Sequence, residues 1–125
     1  MQDRFKFRTW NPDIKTFTYW GWLKNGEYKN MCSCRDISKD ELLEKYTQQC
    51  TGLRDKNGTL IYEGDIVKIF HVSGTMQGKY FFDVVEWNDF RCRFDTENYG
   101  IINDDDVYEV IGNIYENPEL LKKEI

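Results

Sequence analysis

Three carboxylates, Asp55, Glu63 and Asp65, lie within eleven positions of one another in the middle of the chain. They lie in the stretch TGLRDKNGTLIYEGDIVKI, residues 51–69. Paired carboxylates can act as acid and base or can bind a metal ion. Aspartate and glycine are also typical of tight turns, in which the carboxylate caps backbone N–H groups. We therefore interpret the stretch as architecture without a catalytic residue. Its structural turn signature comprises Asn57, Gly58, Glu63, Gly64 and Asp65.

The cysteines and the histidine show no pattern typical of a metal site or a nucleophile. Cys32 and Cys34 are close in sequence, but Cys50 and Cys92 have no near partner. A structural zinc site uses two pairs of ligands, each pair close in sequence. His71 has no serine or cysteine at motif spacing to activate. We therefore predict reduced thiols, no metal site, no cofactor and no enzymatic activity.

The sequence around these residues predicts mainly β-strands. Aromatic residues make up 16% of the chain and alanine, the best helix former, is absent, which favours pleated sheets. Residues 4–10 alternate between apolar and basic side chains, as is typical of a strand with one packed face. Residues 90–94, FRCRF, alternate in the same way. Two Asn-Gly pairs, at residues 25–26 and 57–58, predict hairpin turns.

One short helix is predicted between the strands. Ser38 followed by Glu41 forms a capping box, and apolar residues at helical spacing predict a helix over 39–48. Pro118 occupies a first helical position and predicts a short helical turn near the C-terminus. Between these points, short strands joined by glycine-containing turns predict a small barrel or roll. The fold class is therefore mainly β, with α+β character at the margins.

Charge is unevenly distributed along the chain. The net charge is −5; residues 1–35 carry seven basic and three acidic residues, whereas residues 36–125 carry ten and nineteen. The acidic excess disfavours nucleic acid and anionic membranes as partners, and the asymmetry favours head-to-tail or strand-exchanged self-association. The chain starts without an apolar leader, and no run approaches the roughly 20 apolar residues that span a bilayer. We therefore expect a cytoplasmic homo-oligomer without membrane contact.

Basic and aromatic side chains are interleaved in the predicted N-terminal sheet. Exposed aromatics beside arginine and lysine hold single-stranded nucleic acid on some β-sheets, but such aromatics also fill a core or a protein interface. Their apolar area is more than so small a region easily hides, which favours an interaction surface. We predict that this surface comprises Arg4, Lys6, Arg8, Trp10, Tyr19, Trp20 and Trp22.

A run of three aspartates, Asp104–Asp106, stands near Asp95, Glu97 and Glu109 in the sequence. Such a segment could imitate a row of phosphates and occupy a host nucleic-acid-binding protein. A solvated charged loop is the other interpretation, and it is the usual one for such a run.

Four motifs carry a family resemblance. They are FRTW (residues 7–10), TGLRDKNGTLIYEGDIV (51–67), VVEW (84–87) and VIGNIYENPELL (110–121). In order and spacing they resemble the YopX family of phage and prophage proteins, and the resemblance covers essentially the whole chain. The resemblance implies that the protein is phage-encoded and cytoplasmic. It does not identify any catalytic residues. It also implies that the C-terminal part is an SH3-like small β-barrel.

These expectations combine into one organisation. Residues 1–37 form a β-hairpin region with an aromatic surface, residues 38–48 a linking helix, and residues 49–125 an SH3-like barrel with a short C-terminal helical turn. The expected function is that of a non-enzymatic phage accessory protein that self-associates and binds a host or phage protein. Two alternatives stay open: a nucleic-acid-binding factor that uses the basic N-terminal sheet, or an acidic inhibitor of a host nucleic-acid-binding protein.

Overall fold

The computed structural model describes residues 2–22, 28–29, 45–72, 75–98, 100–101 and 107–124. These residues form strands and two short 3-10 helices, Gln2–Phe5 and Pro118–Glu124, which confirms the mainly β class. The chain divides into two compact units, Met1–Leu53 and Arg54–Ile125. The strands are β1 (Lys6–Asn11), β2 (Thr16–Trp22), β3 (Tyr28–Lys29), β4 (Thr47–Arg54), β5 (Leu60–Tyr62), β6 (Asp65–Phe70), β7 (Tyr80–Asn88), β8 (Arg93–Thr96), β9 (Gly100–Ile101) and β10 (Val107–Asn113).

In the first unit the strands lie in the antiparallel order β3-β2-β1-β4. β1 is an inner strand, and four of its consecutive residues, Arg8–Asn11, are buried. The predicted alternation, with basic side chains in solvent, is wrong at Arg8, because β1 has a neighbour on each edge and packing on both faces. The strand also begins at Lys6, since the residues before it form a 3-10 helix.

The predicted helix over 39–48 ends earlier than expected. Residues 45–46 are helical, and β4 begins at Thr47. Thr47 pairs with Thr9 of β1, and their hydroxyl oxygens lie 2.8 Å apart, so this β-branched residue extends the sheet. The earlier part of the predicted helix lies outside the described residues, and so does the turn at residues 25–26.

The second unit contains an antiparallel sheet in the order β10-β6-β7-β8-β9. A closed SH3-like barrel is a wrong expectation here, because within the described residues β10 and β9 stay at opposite edges of the sheet. A turn occupies the outer edge of β10 instead. Lys56 N–H donates to the Tyr108 carbonyl at 2.9 Å, and the Asp55 carboxylate accepts the Val110 N–H at 2.9 Å. The core of the unit consists of Ile61, Val67, Ile69, Val85 and Tyr108.

The end of β10 is organised by Asn113. Its side-chain oxygen accepts the N–H groups of Tyr115 at 3.0 Å and Glu116 at 2.9 Å. Its carbonyl accepts the N–H of Asn117 at 2.9 Å. A side chain at Gly112 would overlap Asn117, so the motif needs glycine there. The chain then enters the C-terminal 3-10 helix, in agreement with the predicted helical turn, and this helix packs against β7.

Candidate functional site

Asp55 is a structural residue in the turn between β4 and β5. One carboxylate oxygen accepts the backbone N–H groups of Asn57 and Thr59, both at 2.9 Å. The other oxygen accepts the backbone N–H of Val110 at 2.9 Å. The side chain is buried, and each oxygen already has a backbone donor. Asp55 therefore fastens the turn to β10 and is poorly placed to bind a metal ion.

Asp65 has a similar role in the next turn. Its carboxylate is buried and accepts the backbone N–H of Tyr62 at 2.7 Å. Glu63, half-buried, belongs to the same turn. Gly58 and Gly64 adopt φ values of +83° and +84°, in the left-handed region that favours glycine. Among the described residues, no three His, Cys, Asp or Glu side chains are grouped so as to hold a metal ion.

The described histidine and cysteines lie on separate elements. His71 follows β6, and its ring packs edge-to-face on Phe81 with 5.5 Å between the centroids. Cys50 is buried in β4, whereas Cys92 is exposed in the turn before β8. Cys32 and Cys34 fall outside the described ranges. The described histidine and cysteines therefore give no indication of a thiol–imidazole pair.

The strand register divides the predicted N-terminal surface between two faces of its sheet. Arg8 and Tyr19 are directly paired, and Trp10 follows Arg8 by two residues, so these three side chains share one face. Trp20 lies on the opposite face, where it stacks on Phe7 with ring centroids 4.6 Å apart. The predicted residues therefore do not form one continuous surface.

Two of the predicted surface residues, Arg8 and Trp10, are buried. The Arg8 guanidinium lies over the Phe17 ring, 4.4 Å from its centroid. Arg8 Nε also donates to Gln48 Oε1 at 2.8 Å. Trp10 packs edge-to-face on the same phenylalanine ring, with 4.9 Å between centroids. Both residues therefore contribute to packing within the first unit.

The remaining predicted surface residues differ in access. Arg4 is exposed, and Tyr19 is 46% exposed. Lys6 forms an ion pair with Asp3, with 2.8 Å between Nζ and Oδ1. Trp22 belongs to β2, but its side chain lies outside the described part of the structure. Arg4 and Tyr19 are thus the accessible members of the predicted surface whose side chains are described.

The sequence interpretation missed an exposed face of the second sheet, which we call the aromatic platform. Its residues are Lys68, Phe70, Tyr80, Phe82, Val107 and Glu109. The register places them side by side, because Phe70 is paired with Tyr80 on β7 and with Val107 on β10. Phe70 is 39% exposed and Tyr80 is 56% exposed. The opposite face of the same three strands supplies the core.

One end of this face is covered. Ile66 and Val84 are paired on the same face and are buried. The C-terminal 3-10 helix packs against β7, and Asn117 touches Gly112, which is paired with Ile66. Tyr80, at the other end, stays exposed. The described part of the chain therefore covers the Ile66 end of this face and leaves the aromatic side chains at the Tyr80 end exposed.

A shallow pocket opens on the platform, with a volume of about 160 Å³. It is lined by Lys56, Lys68, Phe70, Val107 and Glu109. Lys68 Nζ lies 4.3 Å from the centroid of the Tyr80 ring. Lys56 Nζ lies 3.6 Å from a Glu109 carboxylate oxygen. Pockets for small ligands have volumes of about 300–1,000 Å³, so this pocket fits one protein side chain better than a cofactor.

A second exposed aromatic group lies at the turn between β7 and β8. Phe90 in this turn is 92% exposed. The predicted strand over 90–94 is wrong in its first half, because β8 begins at Arg93. Trp87, which is 43% exposed, packs edge-to-face on Phe94 with 5.0 Å between centroids at the base of the hairpin.

Side-chain hydrogen bonds fix the conformation of this turn. Asn88 Oδ1 accepts the backbone N–H of Arg91 at 3.0 Å. Asn88 Nδ2 donates to a carboxylate oxygen of Asp95 at 2.9 Å. Cys92 adopts a φ of +51°, which turns the chain back into β8. Phe90 is therefore presented to solvent by a turn that is already ordered.

Acidic residues are grouped on and beside β7 and β8. The group comprises Asp83, Glu86, Asp95 and Glu97. Burial raises the pKa of Glu86, and the negative charges of the other three residues, Glu97 first, raise it further. Asp83 accepts the backbone N–H of Asn98 at 2.8 Å. Asp95 accepts Arg93 Nε at 2.7 Å.

The described structure is that of a mainly β protein with two compact units. Each unit contains an antiparallel sheet, and the sheet of the second unit has an exposed aromatic face. The family described as YopX protein matches residues 6–122, so the chain belongs to the YopX family. It is also similar to protein EF1440 from Enterococcus faecalis, known from a crystal structure, with a TM-score of 0.55 and 27% sequence identity. This similarity covers 93% of this chain and 96% of that chain.

The comparison with curated proteins gives no match. Within the described residues, no helix has both the length and the apolar character needed to cross a membrane.

Proposed function

We propose that this YopX-family chain is a non-enzymatic accessory protein, encoded by a phage or prophage, that binds proteins in the cytoplasm of a host bacterium. The phage and prophage setting of the family supports the proposed origin. Its proposed partners are a host or phage protein and further copies of itself, and the acidic net charge disfavours nucleic acid and membrane surfaces. The turn-bound roles of Asp55 and Asp65 support the non-enzymatic part of the proposal.

The aromatic platform is the observation that carries this proposal. Its exposed phenylalanine and tyrosine lie on neighbouring strands, so their rings are held by the sheet and lose little freedom on binding. Protein interfaces combine such aromatic anchors with a polar rim. Lys68 and Glu109, which both line the platform pocket, supply opposite charges beside the exposed rings. A partner face with an apolar side chain and flanking charges would complement this arrangement.

The two alternatives from the sequence have less support. A nucleic-acid interface on the first sheet would need Arg8 and Lys6 to contact phosphates. Arg8 is buried, and Lys6 forms an ion pair with Asp3. The acidic-inhibitor alternative depends on Asp104–Asp106, which fall outside the described residues. We therefore place the proposed interface on the platform rather than on the N-terminal residues.

A pair of matched variants tests the proposal. Phe70→Ser with Tyr80→Ser removes the exposed rings of the platform. Phe5→Ser with Ile14→Ser is the control, because these residues are 44% and 59% exposed but lie in the first unit. Each protein is used to capture partners from a bacterial lysate. A protein retained by the wild type is identified by mass spectrometry, purified and titrated by calorimetry.

We expect the platform variant to bind the purified partner at least about 10-fold more weakly, because hot-spot aromatics carry most of an interface's energy. The control variant should keep the wild-type affinity. Thermal unfolding of both variants checks that they are folded. Equal affinity of the wild type and the platform variant would overturn the proposed interface.

A further inference from the structure

We propose that the chain assembles head to tail, with Phe90 of one copy inserted into the platform pocket of a second copy. This inference rests on the proposed function, because it identifies a second copy of the chain as an occupant of the platform. It joins two features of the second unit that the sequence interpretation did not connect: an exposed phenylalanine on a fixed turn, and a pocket of side-chain size.

The first argument is the presentation of the ring. Phe90 is 92% exposed, the largest exposure among the exposed large hydrophobic residues described. Leaving a whole phenyl ring in water forgoes about 1.5–3 kcal/mol of favourable burial. Asn88 holds the turn through its bonds to Arg91 and Asp95, so little ordering is needed when a partner binds. The ring is therefore suited to be an anchor in a protein contact.

The second argument is the chemistry of the pocket. Phe70 and Val107, which are neighbours on adjacent strands, offer an apolar floor, and a phenyl ring packed on this floor would displace water from both side chains. Lys56 and Lys68 also line the pocket; Lys68 already lies over the Tyr80 ring, and the face of an inserted ring can attract an ammonium group in the same way. The volume of about 160 Å³ suits one aromatic side chain.

Charges beside the ring complement charges beside the pocket. Phe90 is flanked by Asp89 and Arg91 in the sequence. The pocket carries two lysines and Glu109. Asp89 can therefore face the lysines while Arg91 faces Glu109, so that both ends of the inserted segment meet the opposite sign.

Strand geometry makes the contact intermolecular. β7 begins at Tyr80, on the platform, and ends at Asn88, beside the Phe90 turn. Eight residue steps of an extended strand span roughly 26 Å, so the turn and the pocket lie at opposite ends of one rigid strand. Phe90 cannot reach the pocket of its own chain. The turn and the pocket are different surfaces, so the contact joins unlike patches and can extend from copy to copy or close into a ring.

The test uses sedimentation velocity of the full chain over a range of concentrations. Phe90→Ala removes the inserted ring, and Lys68→Glu reverses a charge of the pocket. Ile14→Ala and Lys79→Glu are matched controls, since both residues are exposed and neither lines the pocket. We expect wild type and controls to associate as concentration rises, and each of the two test variants to need at least about 10-fold higher concentration.

Mixing the variants tests the pairing itself. The Phe90→Ala protein keeps an intact pocket, and the Lys68→Glu protein keeps an intact turn. An equimolar mixture should therefore form dimers that do not grow further. Adding Asp89→Lys to the Lys68→Glu protein should restore self-association, because the reversed charges again attract. Thermal midpoints confirm that each variant is folded.

A wild type that stays monomeric, a Phe90→Ala protein that associates like the wild type, or a mixture without dimers would each overturn the inference. The proposed function can fail independently. If self-association is absent but the platform variant still loses its host or phage partner, the platform remains the protein-binding face, and self-association is the part of the proposal that is wrong.

Discussion

The carboxylate of Asp55 and the backbone N–H of Val110 lie 2.9 Å apart, although 55 residues separate them in the chain. Together with the bond from Lys56 N–H to the Tyr108 carbonyl, this contact places a turn where the next strand of a sheet would otherwise pair. Unpaired edge strands expose backbone groups that recruit other chains. The turn therefore satisfies the edge of β10 with one backbone N–H and one side chain, and it leaves the sheet open rather than closed.

Replacement of Asp55 by alanine should lower the free energy of unfolding by about 3 kcal/mol. The substitution removes an acceptor from three backbone N–H groups, and buried donors without a partner cost roughly 1–3 kcal/mol each before the structure relaxes. Urea denaturation followed by tryptophan fluorescence measures the change. Asp89→Ala, at an exposed turn position, is the control and should stay within about 0.5 kcal/mol of the wild type. A loss below about 1 kcal/mol for Asp55→Ala would show that the contact is dispensable.

The two N-terminal arginines should differ sharply when replaced by alanine. Arg8 is buried over the Phe17 ring and bonded to Gln48, so its loss removes packing as well as a charged hydrogen bond. We expect Arg8→Ala to cost about 2–3 kcal/mol and Arg4→Ala, at an exposed site, less than about 0.5 kcal/mol. Chemical denaturation of both variants gives the comparison. Similar small effects at both sites would contradict the buried position of Arg8.

Arg8 also shows why the sequence could not predict the whole candidate site. Alternation along a strand identifies two faces, but it does not say whether one or both are covered, and β1 is buried on both. For the same reason the sequence did not predict the exposed aromatic platform. The stretch IVKIFHV reads as a mostly apolar strand, and only the structure shows that Phe70, paired with Tyr80 and Val107, is exposed.

Local geometry was predictable where a backbone conformation demands a particular residue. Gly58 takes a left-handed conformation, and Asp55 caps its turn, as the pattern of the central stretch indicates. The alternation of FRCRF predicts a strand that includes Phe90, but the bond from Arg91 N–H to Asn88 Oδ1 holds this residue in a longer turn. Such side-chain caps depend on distances across the turn that residue types alone do not specify.

Divalent cations should not stabilise the protein through the central carboxylates. Asp65 is engaged by the Tyr62 N–H, so Asp65→Asn should cost about 1–2 kcal/mol, because a charged acceptor becomes neutral. Thermal unfolding in magnesium or zinc and in a chelator measures both proteins. The same loss is expected in each buffer. A metal-induced rise in the wild-type midpoint that Asp65→Asn abolishes would instead indicate a metal site.

Glu86→Gln should stabilise the protein at neutral pH and have no effect in acid. The pKa of Glu86 is raised from its ordinary 4.5 by burial and by the charges of Glu97, Asp83 and Asp95, so ionisation is less favourable in the folded state than in the unfolded state. The associated stability is fully present below the ordinary pKa and is lost as pH rises through the raised value. Thermal midpoints of both proteins between about pH 3 and 8 measure the difference, which should be positive at pH 7 and vanish below about pH 4.

Added salt should reduce the part of the gain that comes from charge repulsion and leave the part that comes from burial. Glu119→Gln, which removes the same charge outside the acidic group, is the control, and a gain from it equal to that of Glu86→Gln would mean that net charge, rather than the local group, is responsible.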